Sequence, residues 1–164
     1  MKIVLIGFMG SGKSTVAKVL SQRLGLSFLE MDELVYQKTN TRNMHEVFAI
    51  GGERLLREME IAIAKEYASK DNLVISTGGG IVLNQIALDD LRERSGKVIF
   101  LNAGFEEIVK RLAGDGTRPL FQSVEQARKL YDFRWPLYLA YADAVIEVDS
   151  RSAEAITSEI ERNL

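Results

Sequence analysis

The chain has no cysteine, a single histidine (His45), two prolines and one tryptophan. Without thiols there is neither a disulfide framework nor a thiolate metal site. One imidazole cannot build a histidine zinc cluster. No apolar run approaches the roughly 20 residues needed to span a bilayer. The opening MKIVLIG enters an apolar segment at once, without the layout of a cleavable signal, so a cytoplasmic protein with no membrane partner is expected. An excess of one charge is also missing. Lys and Arg total 21 against 23 Asp and Glu, a formal charge of −2, and no basic surplus argues for nucleic acid. Local arginines can still hold a small anion. What remains is ordinary: 164 residues, 46% hydrophobic and 27% charged, the size of one domain over 1–164 with no linker or repeat. Such a chain needs no partner to bury a core, and a monomer is the default expectation.

Four short apolar runs read as buried strands: KIVLIG (2–7), NLVIST (72–77), KVIFLN (97–102) and AVIEV (144–148), with LSFLEMD (26–32) a weaker fifth. Their β-branched content and lack of alternation suit a parallel sheet covered on both faces. Between them lie helical patterns. Val16, Val19, Leu20 and Leu24 mark one face of a first helix, and Leu55, Met59, Ile63 and Tyr67 mark a second, longer one. Ser123 with Gln126 makes a capping box for a third, in which Pro136 predicts a kink or break near Trp135. Strands alternating with helices imply right-handed crossovers and an α/β three-layer sandwich. AGDGTRPL (113–120), with two glycines and a proline, reads as a short loop suited to a lid.

The chemistry starts at VLIGFMGSGKSTVAKVL (4–20). Gly7, Gly12, Lys13 and Ser14 fit G-x-x-x-x-G-K-[ST], between an expected strand and an expected helix. Glycines let backbone N–H groups turn inward around an anion, and the helix start adds its positive dipole end. Gly10, Ser11, Gly12, Lys13, Ser14 and Thr15 would therefore cradle nucleotide phosphates. Lys13 would reach the β- and γ-phosphates, and the Ser14 hydroxyl would ligate Mg²⁺. A glycine turn with a surface lysine is the bland alternative, but the four-position match arises by chance in only about one chain in a few hundred. The motif does not by itself choose between a switch, a motor and a small-molecule kinase.

Five further pieces occur in order: FLEMD (28–32), GGERLLREME (51–60), STGGG (76–80), RPL (118–120) and RWPLY (134–138). Together with GSGKST (10–15) they resemble the shikimate kinase family over nearly the whole chain. That resemblance implies a fold like the nucleoside monophosphate kinases, with a five-stranded parallel sheet in the order 2-3-1-4-5. It also implies transfer of the γ-phosphoryl of MgATP to the 3-hydroxyl of shikimate. Asp32 follows the second strand, where α/β ligands collect, and a carboxylate there can orient or accept a hydroxyl proton; the alternative is a helix N-cap. By the resemblance Asp32 binds the substrate hydroxyls and is the base. Arg57, otherwise a surface ion-pair partner of Glu53 and Glu60, becomes a fork onto the shikimate carboxylate, held by Glu60. Arg134 becomes the second carboxylate arginine, and two guanidiniums suit a planar carboxylate. Gly78, Gly79 and Gly80 form a turn after the third strand, with the Gly79 N–H expected to touch substrate. Arg118 in the lid would stabilise the transferred phosphoryl group and exclude water. Arg111 and Arg151 match positions that flank adenine.

One departure stands out. The family's D-x-D after the second strand is Glu30 and Asp32 here, so the residue expected to hold Mg²⁺ through water is longer by a methylene. Two rivals follow from the sequence: a kinase for another small polyol acid such as gluconate, and a nucleotide-binding regulatory module that has lost phosphoryl transfer.

Overall fold

The computed structural model describes residues 1–113 and 123–164; Arg118 and most of the expected lid segment lie outside the described residues. All five expected strands form. They are β1 (Lys2–Ile6), β2 (Ser27–Glu30), β3 (Leu73–Ser76), β4 (Gly96–Asn102) and β5 (Ala144–Glu147), in one parallel sheet of order β2-β3-β1-β4-β5. The helices are α1 (Lys13–Leu24), α2 (Met31–Thr39), α3 (Met44–Tyr67), α4 (Gln85–Arg92), α5 (Phe105–Leu112), α6 (Val124–Tyr141) and α7 (Ala153–Arg162). Strands β1 and β3 have every residue buried, as continuous apolar runs do when both faces are covered.

The connection after β1 travels left to β2, and the one after β3 travels right past β1 to β4. With right-handed crossovers, helices leaving in opposite directions lie on opposite faces, which opens a crevice at the carboxyl ends of β1 and β3. Register holds that crevice together. Leu5 pairs with Ser76 and Ile6 with Phe100. The Thr77 amide and hydroxyl both donate to the Leu5 carbonyl, at 3.3 and 2.8 Å.

Two helices differ from their sequence patterns. Of the kink or break expected near Trp135, the break does not occur: α6 runs on to Tyr141. Proline this far along a helix removes one N–H and crowds the preceding turn, but α6 is anchored beyond it by the buried, stacked ring of Tyr138. Its amino end has the expected cap, with Ser123 accepting from the Gln126 amide. Helix α3 bends instead, at Gly52, whose φ of 63° and ψ of −164° lie in a region essentially reserved for glycine. Beyond the bend, the side chains turned most deeply inward are Leu56, Glu60, Ile63 and Ala64. The Leu55, Met59, Ile63 and Tyr67 stripe is the flank of that face, packed against the core but only partly covered apart from Ile63.

Nothing lies within 4 Å of where a Cβ on Gly52 would sit, so Gly52→Ala carries backbone strain alone. It should lower stability by about 1–3 kcal/mol, read as a fall in Tm of roughly 3–10 °C; an unchanged Tm would mean that the bend is not imposed by this residue.

Candidate active site

One cleft of about 1040 Å³ opens at the carboxyl ends of the strands. Its lining includes Gly10, Ser11, Gly12, Lys13, Ser14 and Thr15 on one side and Asp32, Arg57, Gly78, Gly79, Gly80 and Arg134 on the other, with Glu30 between. Arg111 and Arg151 complete the nucleotide side. Of the residues singled out from sequence, the structure thus brings all into one cavity except Arg118, which lies outside the described residues.

The glycine turn between β1 and α1 is built for an anion. Gly7, Gly10 and Gly12 all have positive φ, which aims successive amides inward, and Gly12 is the left-handed N-cap of α1. Lys13 is buried, its ammonium donating to the Gly7 and Phe8 carbonyls at 2.8 and 3.0 Å. Arg111 reaches across from α5 to donate to the Gly10 carbonyl at 3.1 Å and pairs with Glu107. Arg151 donates to the Glu147 carbonyl at 2.7 Å and pairs with Glu159.

At the end of β2, Glu30 lies beside the Ser14 and Ser76 hydroxyls, which pull its pKa down, while the larger effect of burial raises it above the usual carboxylate value. The two hydroxyl oxygens are 3.3 Å apart. Hard oxygen donors beside a phosphate cradle fit Mg²⁺, which uses one or two protein ligands and takes the rest from water and substrate phosphates. Among the described residues no cluster of three or more His, Cys, Asp or Glu could hold a metal ion. Asp32 is not the N-cap that spacing allowed. That position belongs to Glu30, and Asp32 sits in the first turn of α2. Its carboxylate faces the glycine turn, with Oδ1 3.1 Å from where a Gly78 Cβ would stand.

The opposite wall carries two arginines. Arg57 donates through Nη1 to both Glu60 oxygens at 2.6 and 2.7 Å, and through Nη2 to Glu53 at 3.1 Å. Glu60 is 1% exposed. Burial pushes its carboxyl above the ordinary range, with Arg57 and Asn84 pulling the other way. Asn84 donates to Glu60 and to the Arg57 carbonyl, at 3.1 and 3.0 Å. Gly80 is what admits Arg57: a Cβ there would come 2.2 Å from Nη2. Arg134 is 2% exposed; burial lowers its pKa, and the nearby Arg57 charge adds to that. Arginine stays charged regardless. The buried Nε atoms of both Arg57 and Arg134 have no hydrogen-bond partner. Two guanidiniums lining the same cleft suit a planar anion.

Asn84 and Ser76 were not found from the sequence. Each is a common residue type at a strand or helix end, and only the fold shows which carboxylate it meets. Trp135 lies outside the cleft lining, its indole donating to Asn102 at 3.0 Å.

Comparison with known proteins agrees with this geometry. The shikimate kinase family model matches residues 9–164. A shikimate kinase of Moorella thermoacetica is 41% identical over 164 residues, covering 99% of this chain and 93% of its own length. One from Pseudomonas paraeruginosa is 37% identical, covering 98% and 94%. Among solved structures, shikimate kinase from Acinetobacter baumannii in complex with shikimate superposes with a TM-score of 0.92 at 32% identity, covering 99% of this chain and 91% of that one. A gluconokinase from Sinorhizobium meliloti, at 18% identity and a TM-score of 0.57, shares the fold alone.

The Arg57–Glu60 pair makes a prediction about pH. In Arg57→Ala the buried Glu60 loses its opposing charge, so its folded-state pKa rises further above the unfolded value. A carboxyl raised on folding favours the folded state at low pH, and that contribution is lost as pH climbs through the raised pKa. Arg57→Ala should therefore cost about 3–5 kcal/mol at neutral pH, the scale for breaking a buried pair. The loss relative to wild type should shrink toward about pH 5. Thermal unfolding of both proteins across pH measures this, and a pH-independent deficit would mean that Glu60 does not carry the cost.

Proposed function

Because the chain belongs to the shikimate kinase family, we infer that this cleft transfers the γ-phosphoryl of ATP to the 3-hydroxyl of shikimate. The products are shikimate 3-phosphate and ADP, a step of chorismate and aromatic amino-acid biosynthesis. The observation that carries the reading is the pair of guanidiniums, Arg57 and Arg134, across one cavity from the phosphate loop. A nucleotide site alone would not need them, and an acidic acceptor does.

In the mechanism we propose, the acceptor's carboxylate lies on Arg57 and Arg134, each offering parallel donors to a planar anion. Glu60 and Asn84 hold the Arg57 fork. The ring hydroxyls meet Asp32 and the Gly79 amide, within the turn Gly78–Gly80. Asp32 orients the attacking hydroxyl and takes its proton. The hydroxyl oxygen bonds to the γ-phosphorus as the bond to the bridging oxygen of ADP breaks. Lys13 moves from the Gly7 and Phe8 carbonyls onto the phosphates, where its charge stabilises the transferring group. Gly10, Ser11, Gly12, Ser14 and Thr15 cradle the phosphates, with Arg111 and Arg151 beside adenine and Arg118 closing over the transferred group. Ser14, and Glu30 through water, would hold Mg²⁺, which when bound neutralises charge on the β- and γ-phosphate oxygens. Little covalent work is left to the protein; the rate comes from positioning and electrostatics.

No helix among the described residues is long and apolar enough to cross a membrane. We read 1–164 as one kinase domain, with an acceptor-binding segment at about 32–60 and a lid at about 113–120, acting in the cytoplasm as a monomer on small molecules and not on nucleic acid.

ADP release from MgATP should be strongly stimulated by shikimate and not by gluconate. Asp32→Asn should cut shikimate-dependent turnover by about 10²–10⁴-fold, the usual contribution of a general base, with ATP affinity retained in calorimetry. Equal stimulation by gluconate would overturn the acceptor assignment. Near-wild-type turnover in Asp32→Asn would remove Asp32 from the chemistry.

A further inference from the structure

Tyr138 is the residue of the acid-binding wall that the mechanism leaves without a task. It is fully buried on α6, and its ring stacks on Phe100 of β4 with centroids 4.9 Å apart and planes 22° apart. Its hydroxyl donates to the carbonyl of Gly79, in the turn after β3. Arg134 lies one helical turn earlier on the same helix, at i−4, where side chains stack on one face, and its guanidinium is close enough to the phenol for each to bias the other's ionisation. Burial raises the phenol well above its ordinary pKa, so Tyr138 stays a neutral donor and acceptor.

We propose that Tyr138 is a positioning residue for the acid acceptor: its hydroxyl fixes the carboxylate-binding Arg134 and the substrate-facing Gly79 relative to each other. This rests on the reading of Arg134 and Gly79 as shikimate contacts. A buried tyrosine needs only one partner to satisfy its hydroxyl. Tyr138 instead uses its donor on the glycine turn and leaves its acceptor lone pairs beside Arg134, so that one hydroxyl sits between two separate elements of the same wall. The coupling also reaches the nucleotide side. The Gly79 backbone is packed tightly on the phosphate loop, with a Cβ at that position standing 3.1 Å from the Met9 amide nitrogen and 3.6 Å from the Gly7 carbonyl. Removing the hydroxyl leaves ring and stack in place. It frees Arg134 to swing and leaves the Gly79 carbonyl without its partner, so the loss falls on the acceptor and not on ATP.

The experiment is steady-state kinetics of Tyr138→Phe with Phe100→Leu as a packing control and Arg134→Ala as a check on the premise. Tyr138→Phe should raise KM for shikimate about tenfold, with KM for ATP within about twofold and kcat within about threefold. Phe100→Leu, which loosens the stack but keeps the hydroxyl, should lower Tm at least as far and leave KM for shikimate near wild type. In the Arg134→Ala background, Tyr138→Phe should add little, because the two act as one unit. Equal effects on both KM values, an equal KM rise in Phe100→Leu, or full additivity with Arg134→Ala would each overturn the proposal. If Arg134→Ala itself leaves KM for shikimate unchanged, the failure belongs to the carboxylate reading. A wild-type readout stands beside the variants in case Tyr138→Phe does not fold. With tyrosine labelled at Cζ, shikimate should shift the Tyr138 resonance and gluconate should not; no shift with shikimate would overturn the proposal.

Discussion

The parallel pairing of β1 on both of its edges is the constraint from which the cleft follows. Because β1 is in register with β3 and β4, its carboxyl end and theirs arrive together, and the turns that follow are forced into contact. The Leu5 carbonyl accepts both bonds from Thr77, which ties the start of the glycine turn to the strand feeding the phosphate loop. Two residues later the Gly79 backbone rests on the amide of Met9 and the carbonyl of Gly7. The nucleotide half and the acid half of the site therefore share a backbone seam. In a reaction whose catalysis is mostly positioning, such a seam sets the distance between donor phosphorus and acceptor hydroxyl more firmly than side chains could.

In the proposed mechanism, charge burial is what would give the acid half its selectivity. Glu60 neutralises Arg57 within the fold and is itself satisfied by Asn84, so that pair is complete on three sides. Among the described residues Arg134 forms no ion pair; the charges and dipoles that act on it are the Tyr138 phenol, the like charge of Arg57 and Glu53. A neutral polyol in this cleft would leave that buried charge uncompensated, whereas a carboxylate completes it. Discrimination of this kind is strong because the penalty for the wrong ligand is an unpaired buried charge and not merely a lost contact. Gly80 serves the same end by giving up a side chain, since any Cβ would occupy the space of the Arg57 guanidinium.

What could be read from the sequence was whatever depends on local pattern. The short apolar runs locate all five strands to within a residue or two, most plainly the β-branched ones, because a buried parallel strand needs little else. The phosphate loop is legible because its chemistry demands glycines, a lysine and a hydroxyl at fixed spacing. The bend at Gly52 and the uninterrupted α6 were not legible. Helical periodicity cannot say whether Gly52 will take a left-handed conformation, or whether packing around Tyr138 will carry a helix past Pro136. Asn84, Ser76 and the task of Tyr138 escaped for a different reason. Each acts through a partner more than 20 residues away in sequence, Glu60, Ser14 and Gly79 respectively, and a single sequence does not contain that pairing. Glu30 shows the converse: its departure from the aspartate pattern was visible, but only the structure shows its carboxylate beside Ser14 and Ser76.

The separation between anchor and chemistry has a kinetic consequence. In the proposed mechanism the carboxylate is gripped at Arg57 and Arg134, whereas the reacting hydroxyl is presented at Asp32 on a different helix, α2. Interaction energy gathered at the carboxylate is thus available to hold the hydroxyl against Asp32 and the γ-phosphate, and it appears in the transition state as orientation rather than only as tighter ground-state binding. Loosening the frame between anchor and base should cost acceptor binding first, with a smaller effect on the chemical step. The frame is the chain of contacts already described: Arg134 to Tyr138, Tyr138 to Gly79, and Gly79 to the phosphate loop, with Gly78 of the same turn facing Asp32. A rigid wall of this kind lets an acid group that takes no part in the reaction govern the rate at a hydroxyl elsewhere on the same molecule.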